Sequence, residues 1–154
     1  KRLWTEDDPE FHGEFYDFAG IKFSPKPRQR PHPPIWFGGN TVPALRRAVE
    51  LGQGWHAVWA SPEEVAEKAA IIRDLCEAQG KRFEDFTITI NVNNKVPMTP
   101  ENIQRYEDAG VSMMFIPRSF QADVEAMLDN MERFADDFMS PIAQDPGDAH
   151  RHQR

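Results

Sequence analysis

The residues best suited to chemistry are Gly38-Gly39-Asn40-Thr41. They stand where the apolar run Ile35-Trp36-Phe37 ends and a helical period begins. Paired glycines let a backbone come close to a ligand, and the first amides of a helix are unpaired donors at the positive end of its dipole. That combination suits a phosphate. The same four residues equally suit a tight turn at positive φ, with Asn40 or Thr41 capping the helix. On chemistry alone both readings stand, since the spacing is neither a P-loop nor a GxGxxG.

Other candidates are weaker. None of His12, His32, His56, His150 and His152 pairs with another at the spacing of a helical metal motif. His56 lies within a strand pattern, where it is either an acid-base group or hydrogen-bonded structure. With one cysteine, Cys76, a structural zinc site is not expected, and the helix stripe beside it marks that thiol as packing. No metal is expected. Asn91, Asn93 and Arg118 follow or end strands and are candidates to line a pocket. Trp36, Trp55 and Trp59 read as core fillers, with stacking against a flat ring as the alternative. The carboxylates, including Glu6-Asp7-Asp8, read as solvated faces. No nucleophile–base pair can be named, so the catalytic residues are unknown.

The elements that must position these residues follow from periodicity. Residues 1–34 read as an irregular arm. In it Glu14–Phe18 and Ile21–Phe23 alternate around Ala19-Gly20, which predicts a hairpin. Ser24–Pro34 is an extended, proline-rich connector. From Ile35 a β–α alternation sets in. Ile35–Phe37 predicts a strand and 41–51 a helix stopped by Gly52, followed by a strand at Trp55–Trp59. Ser61-Pro62-Glu63-Glu64 is a capping box with proline at the first helical position, and Gly80 ends that helix. Phe86–Asn93 predicts the third strand, Thr99-Pro100-Glu101 the third helix start, and Val111–Ile116 the fourth strand. Val124, Met127, Leu128, Met131, Phe134 and Phe138 recur at helical spacing. Residues 35–139 are thus four strand–helix units, and 140–154 read as a disordered tail.

Short β–α alternation means a parallel sheet with right-handed crossovers. Four units are half of an eight-unit barrel, and a small doubly wound sheet is the competing architecture. The third strand discriminates. Phe86, Ile88, Ile90 and Val92 share one face, while Thr87, Thr89, Asn91 and Asn93 share the other. A doubly wound sheet buries both faces under helices, so a polar face fits a barrel lumen better. The fold expected is α/β, the C-terminal half of a (β/α)8 (TIM) barrel preceded by the hairpin arm.

Composition narrows the function classes. The 154 residues carry 18 Lys+Arg against 25 Asp+Glu, a net charge of −7, which argues against a nucleic-acid binder. A lone cysteine excludes an intrachain disulfide scaffold. No apolar run reaches the roughly 18–20 residues of a membrane span. The first residues lack a signal-peptide core. A soluble, cytoplasmic globular chain is expected. The start at Lys1 reads as a piece of something longer.

Leu3-Trp4, Asp8-Pro9, Gly13–Phe18 and Pro25-Lys26-Pro27 resemble the middle of the bacterial luciferase-like monooxygenase superfamily. Pro31–Gly39, Ala44–Ala48 and Gly52-Gln53-Gly54-Trp55 resemble its most characteristic segment. The likeness is greatest to the oxidoreductases of that superfamily that depend on the deazaflavin coenzyme F420. It is specific over residues 3–60 and looser to 138. The resemblance implies a barrel that binds F420, or alternatively FMN, at its C-terminal mouth. By position it makes Gly38 and Gly39 the cofactor-phosphate site, with Asn40 and Thr41 beside it. The reaction implied is hydride transfer or oxygen activation on a small organic substrate.

Two departures accompany the likeness. Gln53 stands where the family usually has Asp, a change expected to remove a structural hydrogen bond. The first four strand–helix units, which supply much of the ring pocket, are missing. Open sheet edges then predict a homo-oligomer. The rival reading is a non-catalytic half barrel that binds a phosphate-bearing ligand or is purely structural.

Overall fold

A computed structural model of the chain describes residues 1–93, 95–115 and 123–139. Its centre is a four-stranded sheet of β3 (Trp36–Gly38), β4 (Gly54–Val58), β5 (Thr87–Asn91) and β6 (Val111–Phe115), in the order β3-β4-β5-β6. Every pairing is parallel. Between strands run α2 (Val42–Leu51), α3 (Pro62–Ala78) and α4 (Pro100–Asp108), and α5 (Val124–Phe134) follows β6. Strand order never reverses, so right-handed crossovers carry every connecting helix to the same face. A doubly wound sheet requires a reversal. The arrangement is that of consecutive units of a (β/α)8 barrel.

Local sequence explains each unit. In α2, Ala44, Leu45, Ala48 and Val49 form one buried stripe. Gly52 ends it at an ordinary φ of −115°, and glycine is needed there for space. A Cβ at Gly52 would lie 2.7 Å from the Ile35 carbonyl oxygen. Helix α3 opens with the complete box: the Ser61 hydroxyl accepts from the Glu64 amide at 3.3 Å, and the Glu64 carboxylate accepts from the Ser61 amide at 2.7 Å. It closes on Gly80 at φ +65°, where the Lys81 amide donates back to the Cys76 carbonyl and the Gly80 amide to the Glu77 carbonyl, each at 2.9 Å. That is the double closure of a left-handed glycine terminus.

The core lies between sheet and helices. Trp55, Ala57, Ile88 and Ile90 meet Leu45, Val49, Val65, Ala69, Ile72 and Tyr106, all buried. Burying a side chain of this size contributes roughly 1.5–3 kcal/mol. The Tyr106 hydroxyl donates to the Ala60 carbonyl at 2.8 Å, fastening α4 to the loop before α3. Cys76 is a free, buried thiol whose pKa is pushed up by desolvation, in keeping with a packing role.

Three expectations need correction. The arm's hairpin joins β1 (Phe11–His12) to β2 (Asp17–Phe18), and Ile21–Phe23 is not a strand. Its turn is at 13–16, where the Gly13 amide donates to the Tyr16 carbonyl at 2.9 Å and the Phe11 and Phe18 rings stack across the strands. A four-residue helix, α1 (Arg2–Thr5), precedes it, and the Lys26 ammonium ties it down by donating to the Leu3 carbonyl at 2.9 Å. Gln53, expected to cost a structural hydrogen bond, makes one here, its side-chain oxygen accepting from the Ile35 amide at 3.0 Å. The apolar stripe of α5 forms, yet Val124, Leu128 and Met131 on it are exposed. The expected tail at 140–154 lies outside the described residues, as does Arg118.

Candidate functional site at the C-terminal end of the sheet

Parallel strands deliver their C-terminal ends, and the helix N-termini that follow them, to one rim. Strand β3 ends at Gly38, and Gly39 turns the chain toward α2 with φ +100°. Residues with a side chain seldom adopt that backbone, and a Cβ on Gly39 would press on the Ala44 Cβ at 3.0 Å. Gly38 is under no such demand, its nearest prospective contact being the His56 carbonyl oxygen at 3.9 Å.

Two features distinguish this turn. First, α2 begins without the side-chain cap and the acidic first turn that the other long helices have. Thr41 is its N-cap residue, but the hydroxyl makes no capping bond, and the first turn holds no acidic side chain. By contrast Ser61, Thr99 and Asp123 cap α3, α4 and α5, which carry Glu63 and Glu64, Glu101 and Glu125 in their first turns. Pro43 removes one amide, leaving those of Val42 and Ala44 as first-turn donors, while the Leu45 amide bonds the Thr41 carbonyl. Gly38, Gly39, Asn40 and Thr41 are all exposed, so the four residues share one accessible turn.

Second, the turn is held from beneath. The buried Trp55 indole Nε1 donates to the Gly39 carbonyl at 2.8 Å. Trp55 is a core filler as expected, but it also fixes the loop, a role its position in the sequence did not disclose. An indole N–H is donor-only and needs a partner when buried, which is the signal that could have found it.

Gly38 pairs with His56 across the sheet, and His56 with Thr89. On this face, opposite the core, the His56 imidazole Nδ1 and the buried Thr89 hydroxyl share a 2.7 Å hydrogen bond, with the Phe115 ring edge-on at 5.5 Å. The polar face of β5 thus meets a second polar side chain. His56 is hydrogen-bonded structure, half-buried.

Of the pocket-lining candidates, Asn91 is half-buried at the end of β5. Asn93 has both ends of its amide committed to backbone: its Nδ2 donates to the Trp59 carbonyl at 3.0 Å and its Oδ1 accepts from the Lys95 amide at 2.9 Å. It is a clasp more than a wall. Trp59 was expected in the core and is 68% exposed, because β4 ends before it at Val58 and its φ is +55°. Among the described residues, no three His, Cys, Asp or Glu side chains gather as a metal would need. None of the helices described is long and apolar enough to cross a membrane.

Comparison with known proteins bears on this site. Uncharacterized proteins of Mycobacterium bovis and Mycobacterium tuberculosis are 33% identical over 149 residues, covering 91% of this chain and 49% of theirs. The FMNH2-dependent dimethylsulfone monooxygenase of Pseudomonas putida is 36% identical over 80 residues, which are 52% of this chain and 22% of that enzyme. The chain spans about half the length of the mycobacterial relatives it matches. Among solved structures, an F420-dependent secondary alcohol dehydrogenase superposes with a TM-score of 0.65 over 85% of this chain and 56% of that one, at 14% identity. The F420-dependent tetrahydromethanopterin reductase of Methanopyrus kandleri superposes with a TM-score of 0.51 over 58% of this chain and 26% of its own, also at 14% identity. These two likenesses establish the fold. Residues 1–150 match the family described as luciferase-like monooxygenase, and the chain belongs to that family.

Proposed function

We propose that this chain is the cofactor-phosphate half of a cytoplasmic luciferase-like oxidoreductase, and that the Gly38-Gly39-Asn40-Thr41 turn holds the phosphate of F420 or FMN. One observation carries the reading. The turn at the end of β3 joins a glycine at φ +100° to a helix start that lacks both a side-chain cap and an acidic first turn. The Val42 and Ala44 amides and the helix dipole favour an anion there, and the absence of a Cβ at Gly39 lets it approach. The residues present fit the group. When bound, the ring system supplies hydride transfer or oxygen activation toward a small organic substrate.

The chain's own residues bind and orient. Trp55 fixes the Gly39 carbonyl, so the loop's amides keep their direction whether or not a ligand is present. His56 and Thr89 are hydrogen-bonded to one another on the strands beside Gly38. F420 is favoured over FMN by the sequence likeness described above, and the fold is shared with F420-dependent enzymes. The Pseudomonas putida relative keeps FMN open.

A homo-oligomer belongs to the same reading. The sheet face opposite the helices exposes Trp36, Met113 and Phe115, and β3 and β6 each have one unpaired edge within the sheet. A single species of monomer mass by light scattering at micromolar concentration would remove this part.

The decisive experiment is a fluorescence titration of the chain with F420 and, separately, with FMN. Saturable binding lost in Gly39→Asp supports the phosphate turn, and whichever cofactor binds names the branch. If neither binds, the chain alone is not a cofactor site, and the rival of a half barrel without turnover takes its place.

A further inference from the structure

Trp59 combines two properties that rarely coincide. Its backbone is left-handed, at φ +55°, a region unfavourable for a large side chain. Its indole is 68% exposed, so burial of the ring does little to offset that cost. The conformation is imposed from the neighbouring strand. The Trp59 amide donates to the Asn91 carbonyl at 2.9 Å, and the Trp59 carbonyl accepts from Asn93 Nδ2 at 3.0 Å. On the following residue, the Ala60 carbonyl is held by the buried Tyr106 hydroxyl at 2.8 Å. Two hydrogen bonds to Trp59 and one to the residue after it therefore hold a backbone that would relax if it were free.

Trp59 thus follows the end of β4 at the C-terminal rim of the parallel sheet, the same rim to which β3 delivers Gly38 and Gly39. Gly38 is level with His56, and Trp59 stands three residues further along, about 10 Å at the rise of a strand. A five-carbon chain between a phosphate and a ring spans a distance of the same order. A residue whose backbone is already fixed has less freedom left to lose when a flat molecule settles on its ring, and aromatic contact adds to the area buried.

We propose that Trp59 is a preset stacking wall for a planar aromatic ring at the C-terminal rim, either the ring of the flavin or deazaflavin cofactor or that of an aromatic substrate. This deepens the reading of the phosphate turn, and its test does not depend on that turn. The probe is lumiflavin, the flavin ring without its phosphate-bearing chain, titrated by fluorescence into the purified chain. Trp59→Ala should weaken lumiflavin binding by at least about fivefold, whereas Trp59→Tyr should keep it within about twofold. Trp59→Gly, which relaxes the backbone, should lose binding like the alanine variant yet melt no lower than the parent chain. Gly39→Asp should lose FMN while retaining lumiflavin. Displacement of lumiflavin by FMN assigns the wall to the cofactor ring, and simultaneous binding assigns it to a substrate ring.

The proposal is overturned if lumiflavin does not bind the parent chain, or if Trp59→Ala binds it as tightly as the parent. It is also overturned if Trp59→Gly melts lower in step with its loss of binding, since the ring would then be packing. Loss of FMN binding in Trp59→Ala but not in Gly39→Asp would instead remove the phosphate turn and leave the wall.

Discussion

The Trp55 indole and the Gly39 carbonyl, sixteen residues apart in the chain, are joined by a 2.8 Å hydrogen bond that runs from the buried core to the exposed rim. It couples the best-packed side chain of β4 to the turn proposed to hold a phosphate. Trp55→Phe keeps most of the ring and removes the donor. It should cost about 1–2 kcal/mol in chemical denaturation and weaken F420 or FMN binding severalfold. Unchanged affinity at reduced stability would show that the bond serves the fold alone.

Gly38 and Gly39 should respond differently to the same substitution. Gly39→Ala must hold φ near +100° and bring a Cβ to 3.0 Å from Ala44, which should cost about 1–3 kcal/mol. Gly38→Ala meets nothing nearer than 3.9 Å and should stay within about 0.5 kcal/mol of the parent. Equal losses in urea denaturation would contradict the geometry of the turn.

Helix α3 offers a measure independent of any ligand. Ser61→Ala removes one half of the capping box and should lower stability by about 1 kcal/mol, with cofactor affinity unaltered. The same denaturation series, read beside a binding titration, checks both parts. A loss of binding would mean that α3 and the rim are coupled.

Tyr106 predicts a pH dependence. Burial raises its hydroxyl above the ordinary value of 10.0, so the unfolded chain releases that proton first. The resulting stability is complete below about pH 10 and falls as pH rises toward the folded-state value. Tyr106→Phe should cost about 1–2 kcal/mol at pH 7 through the orphaned Ala60 carbonyl. The difference from the parent should shrink above pH 10. Denaturation curves at pH 7, 9 and 10.5 test the sign.

The barrel units were legible in the sequence because their signals are local. The Ser61–Glu64 box, Gly80 and the alternation of Thr87–Asn91 each declare an element within a few residues. The Gly-Gly turn was legible for the same reason, although nothing in sequence tells which glycine carries the positive φ. What could not be read depends on partners distant in the chain. Trp55 reaching Gly39, Asn93 fastening Trp59, and Gln53 serving the Ile35 amide are contacts between separate units. The arm was misread because Phe11 and Phe18 gain more by stacking across a turn at 13–16 than Ile21 and Phe23 would gain by pairing beyond Ala19-Gly20.

The unreversed strand order has a kinetic consequence. Each strand bonds only its neighbours in the chain, so every new pairing closes a loop of similar, modest length and meets a similar entropic cost. Assembly can start wherever apolar surface is densest and spread outward a unit at a time, as it does in solenoid arrays. That place is the β4–α3–β5 unit, where Trp55, Val65, Ile72, Ile88 and Ile90 are wholly buried. A nucleus at the middle of the sheet leaves both edge strands to form last, and late edges are where one chain most easily takes up another.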